Sequence, residues 1–322
     1  MKTPSQLFLL IILALFSIKS FSQKQIEHYE PIKTDSLRVG PGDADFVPLI
    51  QSGYTLMLPE HKTIKGTLIF LEDSGYDKKN MNAKLIYDQA SEKGFAVLSV
   101  STEIPFDFYF SKASMQSTHH HIREVFVKHK LPNKNVFFLG ASLVGHRAMR
   151  YIKFMKEGNH EFKVNIEGIV LCNFTLDWTR KWYQHKRDIR INKISLWEPK
   201  FINYMLETHL KGTPKTAPEQ YHNFSSYSYF DEKNQNIKLY KTYAIRAYIE
   251  PAIKYRLTKY LRTLYENNAT DIVGFLAELE LAGNKNTELI VLNPPQKKFV
   301  QSTWYTLDKD DLIDWIQKQT KK

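Results

Sequence analysis

Short apolar runs separated by helical stretches constrain the fold of this chain more than any other feature. The runs Val-Phe-Phe-Leu at 136–139 and Gly-Ile-Val-Leu at 168–171 are apolar at successive positions instead of at alternate ones. Such strands are typical of a mainly parallel sheet that is covered on both faces. The pattern predicts seven strands, at residues 54–58, 67–71, 95–100, 135–139, 167–172, 242–249 and 288–292.

Helical patterns lie between these strands, and their alternation predicts an α/β fold. Its expected architecture is a three-layer α/β/α sandwich around a mainly parallel sheet. Asp308 can cap the last helix, which places Leu312, Trp315 and Ile316 on one face. The predicted helices cover residues 81–93, 112–130, 143–157, 253–281 and 308–318.

One long span, residues 173–241, interrupts the alternation. It contains no convincing strand and is dense in aromatic residues. An insertion at this point of a doubly wound sheet lies above the carboxyl ends of the strands, where such folds bind ligands. The span is therefore predicted to be a helical lid. Helices that serve only to pack the core are the alternative.

A serine stands at a predicted strand-to-helix turn. Residues 136–148 indicate a buried strand, a tight turn that carries Ser142, and then a helix. Together with Glu250-Pro251 and Gln-Ser-Thr-Trp at 301–304, the sequence Gly-Ala-Ser-Leu-Val-Gly at 140–145 resembles the α/β-hydrolase superfamily. The resemblance extends from about residue 53 to residue 316 and is strongest to secreted serine esterases and acyl-peptidases. It implies the α/β-hydrolase fold, with Ser142 as nucleophile if the protein is active.

The resemblance also implies an acid and an oxyanion hole. Glu250, after the strand 242–249, and Asp177, after the preceding strand, are the two acid candidates, while Ala252 stands where relatives often carry an aspartate. The backbone N–H of Leu143 would donate one oxyanion hydrogen bond. The turn at 72–75 would donate the second oxyanion hydrogen bond through Ser74 and Gly75. In the alternative interpretation, the acidic residues of this turn bind water or cap the next helix.

The expected catalytic histidine is missing from the sequence pattern. Ser302 stands where relatives carry the histidine, and the last histidine of the chain is His222. A serine hydroxyl cannot accept a proton at neutral pH as imidazole can. Four other histidines could in principle replace the catalytic base. One is His146, which lies one helical turn beyond Ser142, so its side chain is not expected to meet the serine hydroxyl. The others are three histidines of the predicted lid. Those three are His185, His209 and His222.

The serine turn departs from the family pattern at one further position. Val144 replaces the second glycine of Gly-x-Ser-x-Gly, and its branched side chain is expected to push the turn apart or relax it. Gly145 could partly compensate by a shift of one residue. In the alternative interpretation, Ser142 is an ordinary helix N-cap.

The first residues have the three parts of a secretory signal. Lys2 precedes an apolar run at 7–16, and small residues occupy positions 20 and 22. The predicted organisation is therefore a signal peptide at 1–22, a loosely tied N-terminal arm at 23–52 and a hydrolase-like domain at 53–322. Secretion or periplasmic export is expected, and the apolar run is too short for a permanent membrane span.

Composition narrows the functional classes. The net charge is +11, but lysine and arginine are spread along the chain without a long basic tract, so a nucleic-acid partner is not expected. Cys172 is the single cysteine, which excludes an internal disulfide. The adjacent histidines at 119–121 would point in different directions on a helix, and neither a metal nor another cofactor is expected.

Three functions remain. The missing histidine favours a pseudo-hydrolase that binds a small acyl or peptide ligand. The alternatives are an active serine hydrolase with an unorthodox base and a basic protein that binds cell-envelope polymers. The sequence leaves the oligomeric state open.

Overall fold

The computed structural model describes residues 24–31, 51–60, 63–72, 81–101, 107–192, 196–293 and 303–320. Within these residues, eight strands form one sheet in the order β1-β2-β4-β3-β5-β6-β7-β8. The first two pairings, β1 with β2 and β2 with β4, are antiparallel, and all others are parallel. The strands are β1 Lys24–Pro31, β2 Gln51–Leu58, β3 Gly66–Leu71, β4 Phe95–Ser101, β5 Val136–Ala141, β6 Ile166–Cys172, β7 Ala244–Ile249 and β8 Thr287–Val291.

All seven strands predicted from the apolar runs are confirmed. The eighth, β1, falls within the predicted N-terminal arm and pairs with β2 over its full length. This part of the arm is tied to the sheet instead of being loose. The predicted signal peptide lies outside the described residues.

The apolar runs are continuous because the sheet separates two cores. Every residue of β3, β4 and β5 is buried. Ile69 and Phe138 pack in the core on one face, whereas their neighbours Leu68 and Phe137 pack in the core on the other. Successive side chains of a strand point to opposite faces, so both must be apolar here.

The helices flank the sheet and agree with the predicted ranges except in one case. The predicted helix at 253–281 is two helices, because Leu261 adopts a left-handed φ of 54° that ends the first and Asn267 caps the second. The helices are α1 Tyr87–Glu92, α2 Lys112–Lys128, α3 Leu143–Glu157, α4 Trp178–Ile191, α5 Trp197–His209, α6 Pro218–Phe224, α7 Ile237–Tyr240, α8 Ile253–Tyr260, α9 Asn268–Leu281, α10 Thr303–Thr306 and α11 Lys309–Gln319.

The insertion between β6 and β7 is helical, as predicted. The described part of residues 173–241 contains α4 to α7 and no strand. Its aromatic residues build a small third core that includes Trp178, Trp182 and Phe224. No helix of the described residues is both long and apolar enough to cross a bilayer.

Candidate active site

Ser142 forms the turn between β5 and α3 with an unusual backbone. Its φ of 53° and ψ of −131° fall in a region that L-residues rarely occupy. Holding such a conformation costs on the order of 1–3 kcal/mol and requires support from the surrounding structure. The side chain is exposed and makes no capping hydrogen bond, so Ser142 is not an ordinary N-cap.

Two glycines provide the support. A Cβ atom on Gly140 would lie 2.3 Å from the backbone nitrogen of Gly145, and a Cβ atom on Gly145 would lie 2.4 Å from the Phe174 ring. The required small residue is therefore Gly145. Val144 is partly buried against the core that contains Phe137, and it neither opens nor relaxes the turn. The expectation that Val144 distorts the turn is wrong.

Ser142 faces a cavity of about 510 Å³ between the end of the sheet and the helical insertion. This volume suits a small organic ligand. Most of the wall is apolar or aromatic, and it contains one lysine and one glutamate. The described lining consists of Asn82, Phe108, Ala141, Ser142, Leu143, Val144, His146, Phe174, Thr175, Trp178, Lys181, Trp197, Glu198, Phe201, Ile202, Asn268 and Tyr305.

The structure describes half of the predicted oxyanion hole. Leu143 begins α3 and lines the cavity beside Ser142. Ser74 and Gly75 lie outside the described residues. Glu72, from the same predicted turn, accepts hydrogen bonds from the backbone N–H groups of Asn82 at 2.8 Å and Ala83 at 2.9 Å. It thus caps the helical turn that begins there, one of the two alternatives predicted for these acids.

His146 lines the cavity, but both of its ring nitrogens are engaged. Nδ1 accepts a hydrogen bond from Trp178 Nε1 at 3.0 Å, and Nε2 donates to the carbonyl of Phe108 at 3.0 Å. Burial also holds the pKa of His146 well below its ordinary value. His146 therefore fixes α4 against α3 and has no lone pair available for the proton of Ser142.

The three histidines of the insertion do not line the described part of the cavity. His185 is buried and hydrogen-bonds Asn203 Oδ1 through Nδ1 at 3.0 Å. Burial holds its pKa well below the ordinary value. His209 stacks on Phe110, with ring centroids 4.3 Å apart. His222 is half-buried on α6.

The two acid candidates differ in their contacts. Asp177 caps α4: one oxygen accepts the N–H of Arg180 at 3.0 Å and the other accepts the N–H of Tyr229 at 2.8 Å. Burial raises its pKa to about 6. Glu250, directly after β7, is fully buried, and neither carboxylate oxygen has a hydrogen-bond partner in the described structure. Burial raises its pKa, opposed by the charge of Arg256.

Ser302 also lies outside the described residues. The segment that follows it is anchored, because the buried Trp304 donates its indole N–H to the carbonyl of Asn82 at 3.2 Å. Ala252 holds a left-handed backbone at the start of α8, with a φ of 41°.

Lys181 is a pocket residue that the sequence did not reveal. It follows Trp178 by three positions on α4 and therefore shares its face. In the sequence it belongs to the pair Arg180-Lys181, which resembles an ordinary surface cluster. The position of α4 over the cavity brings this residue to the cavity wall.

Solved structures share this architecture. Esterase B from Lactobacillus rhamnosis superposes with a TM-score of 0.56 at 12% identity, covering 98% of this chain and 92% of its own. The fluorophosphonate-binding serine hydrolase F of Staphylococcus aureus gives 0.51 at 13% identity, covering 92% and 98%. The uncomplexed acylaminoacyl peptidase of Pyrococcus horikoshii gives 0.56 at 11% identity, with 96% of this chain covered.

The chain has the α/β-hydrolase fold. It spans only 43% of the length of the Pyrococcus peptidase. No protein-family model and no curated protein matches the sequence. Within this α/β-hydrolase fold, Ser142 occupies the strained turn after a central strand and lines the cavity. The described site contains no imidazole able to take the serine proton.

Proposed function

We propose that this chain is an exported α/β-hydrolase-fold protein that binds a small acyl or peptide ligand beside Ser142 without catalytic turnover. The observation that carries the proposal is the state of His146, whose two ring nitrogens are both bonded at the cavity wall. The sequence contains no histidine after His222, so residues 294–302 offer no imidazole. Without a base, the serine hydroxyl is a poor nucleophile at neutral pH.

Binding is supported by features that remain intact. The cavity of about 510 Å³ is open to Ser142, and the strained turn presents the hydroxyl to it. The likeness to solved structures of an esterase, a serine hydrolase and an acylaminoacyl peptidase supports an acyl or peptide group as the ligand.

Hydrolysis of an activated ester tests the absence of turnover. The mature protein and its Ser142→Ala variant should hydrolyse p-nitrophenyl acetate at equal rates, because loss of one triad member typically lowers kcat by about 10⁴ to 10⁶. The comparison uses equal concentrations of folded protein. A wild-type rate well above that of the variant would overturn the proposal.

An active serine hydrolase is the second candidate, and one observation favours it. Lys181 lines the same cavity, and burial lowers its pKa to about 8. A lysine near neutrality can act as an unorthodox base. If a fluorophosphonate probe labels the wild-type protein, and both Ser142→Ala and Lys181→Met abolish the labelling, the active hydrolase is favoured over the pseudo-hydrolase.

Restoring the histidine tests the assignment of the base position. Because the turn at Ser142 already has its strained geometry, Ser302→His should by itself give Ser142-dependent ester hydrolysis, with the free carboxylate of Glu250 as the acid. The Ser302→His/Ser142→Ala double variant is the control. Failure of the folded single variant would show that residue 302 does not occupy the histidine position.

Export has its own test. The sequence of residues 1–22 predicts cleavage before Gln23. Mass spectrometry of the protein recovered outside the cytoplasm should find Gln23 as its first residue. Recovery of the whole chain in the cytoplasm would contradict export without affecting the binding proposal.

A further inference from the structure

Lys181 is a buried lysine whose positive charge has no contacting anionic group among the described residues. Its side chain is 9% exposed and lines the cavity, and the described residues give it no ion pair and no hydrogen bond. Other buried cations are partnered: Arg180 binds Asp271, and Lys153 donates to Asn223 Oδ1 at 2.5 Å and to Asn236 Oδ1 at 2.8 Å. The contrast singles out the lysine beside the cavity.

An ammonium group that leaves water needs a replacement for its hydration. Buried charges in proteins are therefore paired, hydrogen-bonded or placed where a ligand completes them. Glu198 lines the same cavity, but its side chain is exposed and it forms no ion pair with Lys181 in the described structure. Lys181 itself lines the cavity, so an anionic group of a ligand bound there would lie beside this residue.

We propose that Lys181 binds the carboxylate of an amphiphilic monocarboxylate, such as an N-acyl amino acid, whose apolar part lies against the aromatic wall of the Ser142 cavity. This inference rests on the proposed function, because it names the class of ligand that the cavity binds. It extends that function by assigning the residue that selects the charge of the ligand.

The charges of the wall favour a single negative charge. Lys181 is the one lysine or arginine in the described lining, and Glu198 contributes an opposing negative charge. A phosphate dianion would therefore carry excess charge in this cavity, whereas a carboxylate is balanced by one ammonium group.

The apolar part of the ligand also has a defined surface. Trp178, Trp197 and Phe201 line the cavity together with Ile202. The rings of Trp197 and Phe201 stack on each other, with centroids 5.1 Å apart and planes 7° apart. Aromatic walls of this kind favour aryl and acyl groups.

The protonation of Lys181 agrees with this role. Burial lowers its pKa to about 8, and the charge of Glu198 acts in the opposite direction. The group therefore remains mostly protonated at neutral pH, although no described residue forms an ion pair with it. A bound carboxylate would supply a counterion and raise the pKa again.

Calorimetric titration tests the proposal with two probes that differ only in charge. N-acetyl-L-phenylalanine carries the carboxylate, and N-acetyl-L-phenylalaninamide is its neutral analogue. All proteins carry Ser142→Ala, so that hydrolysis of a probe cannot disturb the measurement of binding. Turnover by the wild-type protein would overturn the proposed function but would not affect this test. The parent protein at pH 7 should bind the acid at least about tenfold more tightly than the amide.

Two variants test whether Lys181 causes the preference for the acid over the amide. Adding Lys181→Met should remove the preference by weakening the binding of the acid. Adding Lys186→Met, on the same helix but exposed and outside the described lining, should preserve it. Circular dichroism and thermal melting confirm that each variant is folded. Equal binding of acid and amide, a preference that survives Lys181→Met, or no binding of either probe at millimolar concentration would overturn the inference.

Discussion

Two glycines support the strained, positive-φ backbone of Ser142, and a Cβ atom on Gly140 would meet the backbone of Gly145. We expect Gly140→Ala to lower the free energy of unfolding by more than about 2 kcal/mol, because its Cβ would lie 2.3 Å from the Gly145 nitrogen. Val144→Ala removes only partly buried methyl groups and should cost about 1 kcal/mol or less. Urea denaturation measures both. Equal losses would mean that the turn does not depend on this contact.

Glu250 is a fully buried carboxylate without a hydrogen-bond partner in the described structure. Because the pKa of Glu250 is raised, the native state binds the proton more tightly than the unfolded state does. The stability of the protein therefore falls as the pH rises from the pKa of Glu250 in the unfolded state to its pKa in the folded state. Glu250→Gln should therefore increase stability at pH 7 and have less effect at pH 4. Urea denaturation at both pH values checks this, with the exposed Glu219→Gln as control. A loss of stability at pH 7 would indicate an unrecognised partner.

Residue-scale prediction succeeded where local spacing decides the structure. The position of Ser142 follows from a strand, a turn and a helix that are adjacent in sequence. Val144 was misjudged because the close approach of Gly140 to Gly145 depends on the path of the turn. Lys181 was missed because the absence of a partner is a property of the tertiary structure.

At the scale of elements, a buried ion pair joins the helical insertion to α9. Arg180 on α4 contacts Asp271 on α9, with an Nη2 to Oδ2 distance of 2.8 Å. The same Oδ2 accepts the N–H groups of Leu176 at 3.1 Å and Asp177 at 3.2 Å. The carboxylate of Asp271 therefore fixes the start of α4, and with it the cavity wall.

Removing this carboxylate leaves a buried guanidinium group without its main partner. Asp271→Ala should destabilise the protein by about 3–5 kcal/mol, since one partner of a buried pair is lost. Asp314→Ala, which breaks the exposed pair with Lys93 at 3.0 Å, should cost about 1 kcal/mol or less. Chemical denaturation compares them. Similar small losses in both variants would show that the insertion does not depend on the buried pair.

The charge of Lys181 makes a separate prediction about stability. Its pKa falls from an ordinary 10.5 to about 8, so the unfolded state binds more protons between these values and stability rises with pH there. Without ligand, Lys181→Met should be more stable than wild type below pH 8, by on the order of 2–4 kcal/mol, and the difference should shrink toward pH 10. The other charged groups that act on Lys181 are Glu198, Arg262, Arg180 and Asp188.

Thermal melting of both proteins between pH 6 and pH 10 provides the measurement. Lys186→Met, which is exposed, should show no such pH-dependent difference. A variant less stable than wild type below pH 8 would show that Lys181 already has a stabilising partner.

Element boundaries could be predicted where periodicity is strong. The helix at 143–157 has the predicted bounds, whereas residues 253–281 form two helices because the left-handed backbone at Leu261 has no distinctive sequence signal. The first strand was missed for a different reason. Lys24–Pro31 lies at the edge of the sheet and carries polar side chains between its apolar ones, so it lacks the continuous apolar run of the inner strands.

At the scale of the whole molecule, the first strand covers an edge that would otherwise be open. It pairs with β2 at eight positions, and Tyr29 hydrogen-bonds the Thr55 hydroxyl at 2.8 Å. A chain that begins at Gln51 should lose more than about 2 kcal/mol of stability and associate as its concentration rises, because β2 becomes an unpaired edge. A chain that begins at Gln23 is the control. Light scattering and thermal melting compare them, and identical behaviour would show that β1 is dispensable.

The strained backbone of Ser142 also has an evolutionary consequence. If the proposed function holds, the molecule retains the strained backbone of Ser142, which is the most demanding part of a catalytic site. What it lacks is the catalytic histidine, which a substitution at one position could restore. Proteins of this kind lie a short mutational distance from enzymes. Gain of activity in this scaffold would then be limited by the acquisition of a base and not by the rebuilding of a turn.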